Sequence, residues 1–473
     1  MAERALRRSV HSVTMDVGHP PGGGGFGAGD HRGVSLLSGW LPVTVQIVVV
    51  LLLLAAIGWR TRRWRVLWVP VAAGAGVAGA LAVLAWFDDS GLATDPAPTS
   101  LWVWIGVTAG SLVVLVAGWR GARWWRRGLS VLVVPLCLLC VALVLNQWVG
   151  YFRTISQAWG TITAGPLPGQ VSEADLPALR GEPAPTGRVV AVTTPDTASQ
   201  FPHRQEYVYL PPAWFAGAKP PALPAIMMIG GEFNTAADWV RAGDVLPVID
   251  HYAQTHGGYA PVLVFVDAGG TFNNDTECVD GPRGNAADHL TEDVRPYVTS
   301  HFGVPAASQA WGVVGWSMGG TCAADLAVMH PELFDSFVDI AGDPGPNTGT
   351  KQQTIQRLYG GDAAAWARFD PMTVLGHHAP YPDTAGWFDD SAPGYGPRGR
   401  RGWSGGGETD PQQKEAGIRR LCATATAKGI RCSVHTYQAG HTWQFASKAF
   451  ADSLPWLDSR IKRLPEKTVA THR

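Results

Sequence analysis

A serine stands between glycines in Val313-Val314-Gly315-Trp316-Ser317-Met318-Gly319-Gly320. A serine hydroxyl is a weak nucleophile until a base takes its proton. The G-x-S-x-G spacing is what a sharp strand-to-helix turn needs to lift that hydroxyl above a sheet. The flanks fit such a turn. Trp311 to Val314 is an apolar run of strand length, and Ala323, Ala324, Leu326, Ala327 and Met329 recur at helical spacing as far as His330-Pro331. The helix start would present unpaired N–H groups to charge developing on a substrate oxygen. In a chain with 57 glycines the motif alone can arise by chance as a plain glycine-rich turn. The strand–turn–helix setting is what makes Ser317 the candidate nucleophile.

The expected base is His441. Ala439-Gly440-His441-Thr442-Trp443 follows the last predicted strand and precedes the last predicted helix, on the same rim as the serine turn. His377 and His378 lie in a His-His-Ala-Pro loop and read as surface or structural. His251, His256, His289, His301, His330 and His435 read as packing or solvent residues. An acid to orient His441 should follow the penultimate strand. Asp410, in Gly407-Glu408-Thr409-Asp410-Pro411, is preferred, although it would also serve as a helix cap. Asp389 and Asp390, directly after Gly386-Trp387-Phe388, are the alternatives. For the oxyanion, one donor is the Met318 N–H. The other is assigned to Gly231 in Ile229-Gly230-Gly231-Glu232-Phe233, with Glu232 as second choice; the plain alternative is a strand-ending turn. No cofactor is called for, and no metal cluster is read, since Cys422 and Cys432 lack C-x-x-C spacing.

The region from about Gly187 to Ile461 resembles the esterase D-type esterase family of α/β-hydrolases, which includes the mycolyltransferases. The resemblance rests on Gly315-Trp316-Ser317-Met318-Gly319-Gly320, on His330-Pro331-Glu332-Leu333-Phe334-Asp335 with Ile340-Ala341-Gly342, on Leu358-Tyr359-Gly360-Gly361-Asp362 through Phe369-Asp370-Pro371, and on Gly440-His441-Thr442-Trp443. It implies an α/β-hydrolase fold and acyl transfer through an acyl-enzyme. The substrate would be an ester, in which a lipid or an acylated sugar takes part. Water as acceptor makes an esterase; a sugar or lipid hydroxyl makes an acyltransferase. A catalytically inactive binding or sensor module is the rival from another class. The Gly/Arg-rich stretch 391–407 departs from the family pattern.

The elements that must position these residues alternate in type, which argues for α/β architecture with a mainly parallel sheet. Strands are predicted at Val189–Thr193, Glu206–Leu210, Ala225–Ile229, Val262–Val266, Ala310–Val314, Ser336–Ile340, Gly386–Phe388 and Cys432–Tyr437. Helices are predicted at Val245–Gln254, Ala286–Ser300, Thr321–His330, Ala363–Phe369, Gln412–Lys428 and Trp443–Ile461, the last broken or kinked at Pro455. The hydrolase domain is therefore drawn at 187–463, with a short tail at 464–473.

Ahead of it lies a different solvent. The chain is 46% hydrophobic and only 16% charged, and the imbalance comes from its first third. Residues 1–36 read as a disordered tail without the features of a signal peptide, and Met15 is an alternative start. Four charge-free runs follow at Leu41–Trp59, Val66–Phe87, Leu101–Trp119 and Leu129–Trp148, each of membrane-spanning length. Eight arginines fall in the two loops 60–65 and 120–127, and none in the loop 88–100. Basic short loops stay cytoplasmic, so an even number of spans puts the hydrolase domain outside the cell membrane. Gly58-Trp59-Arg60 and Gly118-Trp119-Arg120 sit at matching bends, as in a duplicated hairpin. With no charge inside any run, an anchor is favoured over a transport path; a lipid-handling or sensing role is the alternative. Residues 153–186 read as a Pro-rich linker. Net charge is −1, which gives no case for nucleic acid. An exported domain meets oxidising conditions, and the tight return at Lys428-Gly429 favours pairing Cys422 with Cys432, leaving Cys278 for Cys322.

Overall fold

The computed structural model describes residues 34–58, 60–90, 97–163, 165–181, 184–391 and 411–461. The N-terminal tail, Asp410 and the C-terminal tail fall outside these residues. Four apolar helices come first: α1 (Trp40–Ile57), α2 (Val69–Ser90, entered through a π-turn at Trp64–Trp68), α3 (Thr99–Gly118) and α4 (Trp124–Val149). Each is long and apolar enough to cross a membrane. They pack in the order α1–α4–α3–α2. The matching hairpins therefore do not pack alike, because α1 lies against α4. Small residues decide the other contact. A Cβ on Gly76 would lie 2.7 Å from Gly106 O, and one on Gly110 would lie 3.0 Å from Ala72 O, so the α2 and α3 backbones touch. Arg60 gives one bend its role. It donates to Ala56 O at 2.8 Å and to Gly118 O at 2.9 Å, capping the carboxyl ends of α1 and α3 together.

The segment expected as a linker is folded onto the domain. Helix α5 (Ile155–Ile162) and strand β1 (Gln170–Val171) lie in it, and Leu167 and Leu176 are buried. Two leucines at positions able to reach the core outweigh the prolines around them. The sheet continues with β2 (Arg188–Val192), β3 (Glu206–Leu210), β4 (Ala225–Ile229), β5 (Val262–Val266), β6 (Trp311–Trp316), β7 (Ser336–Ile340), β8 (Ala385–Ser391) and β9 (Arg431–Tyr437). Its order is β1-β2-β3-β5-β4-β6-β7-β8-β9, parallel except where β3 meets its two neighbours. This is the α/β architecture expected from the sequence. Strands β4, β5, β6 and β7 are buried at every position, as central parallel strands covered on both faces must be. Alternate residues feed two cores. Met227, Val264 and Val313 face the cluster that holds the helix Met318–Met329. Met228, Phe265 and Val314 face the one that holds Trp239, Trp443 and Phe450. The last helix, Trp443–Arg460, runs on through Pro455 rather than breaking there.

Both expected disulfides are formed, Cys278–Cys322 and Cys422–Cys432, while Cys137 and Cys140 are buried free thiols in α4. The first pair ties the loop after β5 to the helix behind Ser317 across a separation of 44 residues. Replacing both Cys278 and Cys322 by serine should destabilise the domain by about 4 kcal/mol on the loop-entropy estimate. The drop would be read in the thermal midpoint of the detergent-solubilised protein; an unchanged midpoint would mean that the bridge carries no stability.

Candidate active site

Ser317 occupies the turn between β6 and the helix Met318–Met329, with φ 60° and ψ −123°. That conformation is costly for a residue with a side chain, and the neighbours hold it. The Ser317 N–H donates to Ile340 O at 2.9 Å, and the Gly320 N–H donates to Ser317 O at 2.7 Å. The glycines are there because backbones occupy the space. A Cβ on Gly315 would sit 1.5 Å from Gly319 O, and one on Gly319 would sit 2.3 Å from Ile229 O.

His441 lies where the sequence pattern puts it. Its Nε2 is 3.0 Å from Ser317 Oγ. The Trp316 ring packs against the imidazole with centroids 4.2 Å apart, and the Thr442 side chain caps the next helix by accepting from the Phe445 N–H. Two fixed neighbours thus hold the histidine loop. Of the three candidate acids, Asp410 is outside the described residues. Asp389 is buried inside β8, and its Oδ1 accepts from Trp387 Nε1 at 2.7 Å; burial pushes its carboxyl well above the usual range. No hydrogen bond joins it to His441 among the described residues. Asp390 Oδ1 accepts from the Ser391 N–H at 2.8 Å.

At the oxyanion position, Met318 N is the first helical amide after Ser317. Gly231 comes close as expected: a Cβ there would lie 3.2 Å from Ser317 Cβ. Its N–H, however, donates to Asn234 Oδ1 at 2.9 Å. That donor is engaged by a side chain here, so Gly231 and Glu232 both remain candidates for the second donor. The next amide, Glu232, has no hydrogen-bond partner among the described residues and stands at the same turn. Arg204 fixes this loop, donating to Asn234 O at 2.6 Å while paired with Asp267 at 2.6 Å.

The cavity beside Ser317 and His441 is lined by Glu232, Asp275, Glu277, Thr321, Asp343 and Lys414, among others. Sequence reasoning missed this acidic floor. Asp275 and Glu277 follow β5 on the elbow's rim, and that pair of acids at i and i+2 was the available signal. Lys414 offsets part of the charge, 3.3 Å from Asp343 Oδ1 and donating to Ala341 O at 2.9 Å. Asp275 Oδ1 and Glu277 Oε2 are buried without a hydrogen-bond partner among the described residues. Burial raises the Asp275 carboxyl to about 7 against the pull of Arg283. Burial, then the charge of Asp275, pushes Glu277 well above its usual range. Glu232 is raised to about 9 by burial and by Asp275.

Half-buried His203 and buried Glu206 and His289 have the spacing of a metal site. Both His203 ring nitrogens, however, lie 2.9 Å from backbone carbonyls, of Arg204 and of Thr194. A histidine that donates at both nitrogens has no lone pair for a metal, so the group reads as a structural ion-pair network.

A sequence profile described as "Putative esterase" matches residues 203–457. An uncharacterised protein of Corynebacterium glutamicum is 27% identical over 445 residues, covering 91% of this chain and 98% of its own. Among solved structures, an S-formylglutathione hydrolase from Agrobacterium tumefaciens is 19% identical, over 59% of this chain and 98% of that one, with a TM-score of 0.43. MPT51 of Mycobacterium tuberculosis is 16% identical, over 57% and 100%, with a TM-score of 0.38.

The raised carboxyls make stability depend on pH in a definite direction. In the unfolded chain these groups lose their protons in the ordinary range, about 4. The folded protein keeps them to higher pH, to about 7 for Asp275. Over that window the folded state binds more protons, so these groups stabilise it most at the acid end and progressively less as pH rises. Glu277→Gln should flatten the slope and raise the thermal midpoint at about pH 8. A variant less stable than wild type there would show that the Glu277 carboxylate is satisfied in the fold.

Proposed function

Because the chain belongs to the Putative esterase family, we propose that it is a membrane-anchored serine esterase whose hydrolase domain faces away from the cytoplasm. The observation that carries the chemistry is the 3.0 Å approach of His441 Nε2 to Ser317 Oγ at a strained helix start. His441 takes the hydroxyl proton as Oγ attacks the ester carbonyl. The N–H groups of Met318 and of Gly231 or Glu232 receive the oxyanion, and the helix start adds its positive end. The alcohol leaves with the proton from His441, and water, activated by the same histidine, frees the acid from the acyl-enzyme. Asp410 stays the proposed orienting acid, with Asp389 and Asp390 as the alternatives.

One observation favours a second reading, an acyltransferase in which a hydroxyl replaces water. Glu232, Asp275, Glu277 and Asp343 line the cavity beside Ser317, and such a polar wall suits a hydroxyl-rich alcohol. Product analysis with and without a sugar acceptor separates the two. The outward orientation draws on the eight arginines in two short loops and on the two disulfides.

Ser317→Ala should abolish labelling by a fluorophosphonate probe and turnover of a p-nitrophenyl ester; labelling at wild-type level would refute the nucleophile. Asp410→Asn should cut ester turnover by about 10⁴-fold, and if only Asp389→Asn or Asp390→Asn does so, the acid is that residue. A phosphatase reporter fused after Arg473 should be active; an inactive reporter together with a protease-protected domain in intact cells would overturn the orientation.

A further inference from the structure

The end of α4 is built into the catalytic domain beside the histidine loop. Gly150, the residue after α4, accepts at its carbonyl from Gln444 Nε2 at 2.8 Å. A Cβ on Gly150 would lie 2.9 Å from Thr442 Cβ, and Thr442 is the residue after His441. Further contacts make the joint rigid. Tyr151 Oη donates to Asp238 Oδ1, and Gln157 Nε2 donates to Arg241 O at 2.6 Å. Val149 and Tyr151 pack against the core that holds Trp239, Trp316 and Trp443. The chain thus passes from an apolar helix of membrane-spanning length to the neighbour of His441 with no free segment between.

The surface around this joint is apolar where it should be polar. In α5, directly after the joint, Trp159 is 68% exposed and Ile155 46%. Phe233, next in the chain to the cavity-lining residue Glu232, is 40% exposed. Its ring lies 5.6 Å from that of Phe272, which is 71% exposed. Phe233 is also five residues before Asp238, which holds Tyr151, so it belongs to the loop that runs from cavity to joint, while Phe272 meets it from the loop after β5. Aromatic side chains held at the end of a membrane-spanning helix suit the interface, where one side of the ring meets acyl chains.

We propose that the enzyme works on the bilayer surface and takes its ester from the leaflet α4 leaves, the lipid's acyl chain entering across Phe233 and Phe272. This rests on the esterase reading above. The apolar mouth and acidic floor then divide one amphiphilic substrate. The chain stays in contact with the aromatic pair, and the polar alcohol part lies against Asp275 and Glu277. At the acylation step the lipid's ester C–O bond breaks, the bond from Ser317 Oγ to the carbonyl carbon forms, and the alcohol departs with the proton.

The test uses the full chain in phosphatidylglycerol/phosphatidylethanolamine vesicles. A long-chain 4-methylumbelliferyl ester is held in the bilayer, and p-nitrophenyl acetate serves as the soluble ester. Phe272→Ser should lower turnover of the vesicle-held ester about tenfold, as loss of a binding contact does, and leave the soluble ester within about twofold. Equal loss on both esters, or on neither, overturns the proposal. A second measurement needs no activity. An environment-sensitive dye on Phe272→Cys in the Ser317→Ala background should be quenched by shallow spin-labelled lipid; a dye quenched only by aqueous iodide, or only after dimerisation of the chain, overturns it. If wild type shows no Ser317-dependent turnover of either ester, the esterase reading fails, and the dye still decides the location of the mouth.

Discussion

Four backbones meet at Ser317 with no room for side chains, and the rest of the catalytic domain follows from that crowding. Gly315 passes against Gly319, Gly319 against the end of β4, and Gly231 against Ser317 itself. Gly320 would press a Cβ to 2.4 Å from Asp339 Oδ1 and 2.8 Å from Gly342 N, which brings the end of β7 into the same contact. The strained φ of Ser317 costs about 1–3 kcal/mol and persists only where surroundings over-determine it. Here they do: β4, β6 and β7 are adjacent, parallel and fully buried, so their carboxyl ends are locked in register. The turn gives the nucleophile its position because the sheet beneath it cannot yield.

The same packing surrounds the site with carboxyls that a stable fold would not choose. Both oxygens of Asp325, on the helix behind Ser317, lack a partner among the described residues, as do Asp339 Oδ2, Asp275 Oδ1 and Glu277 Oε2. Each such group costs about 1–3 kcal/mol if left unsatisfied, and the usual relief is to hold a proton, which is the direction in which burial moves Asp325 and Glu277. The Cys278–Cys322 bridge stands between these groups in the chain. Glu277 and Cys278 both have positive φ, at 48° and 49°, so the loop that supplies the acids is held in a conformation it would not keep alone. A covalent link to the nucleophile helix keeps it there. Stability is placed next to the group that removes it, the pattern of a site kept for ligand rather than for folding.

Much of this was legible from residues alone, where local pattern and tertiary fold agree. Glu206–Leu210, Ala225–Ile229, Val262–Val266 and Ser336–Ile340 are strands over the predicted bounds, because apolar runs this short fit a buried strand; the last three are central parallel strands, and the first pairs antiparallel on both sides. Ser317 and His441 were legible because each sits at the end of a strand with glycine beside it. The failures have physical reasons. The segment 153–186 looked like a linker because proline dominates it, yet two leucines fold it onto the core. The close approach of Gly231 to Ser317 was legible because glycine admits it, while the turn of its N–H to Asn234 left no mark in the sequence. The matching arginine bends implied a repeat, yet the glycines of α2 and α3 set the helix order. The acidic floor showed in the sequence only as the Asp275/Glu277 pair, since the rest is assembled from loops after other strands.

A hydrolase tethered by a flexible chain would sample a volume set by the linker, and its mouth would face the bilayer only part of the time. Here the joint removes that freedom. Gly150 against Thr442, Tyr151 on Asp238 and Gln157 on Arg241 fix the orientation of the domain relative to α4 at three points on two different segments. One apolar helix would suffice to hold a domain near a membrane, whereas fixing an angle requires a base that does not itself tilt. The α2–α3 backbone contact and the double cap by Arg60 stiffen such a base. On the proposed anchoring, the multi-helix region and the rigid joint have one physical reading in common: they control which way Ser317 faces as well as where it is.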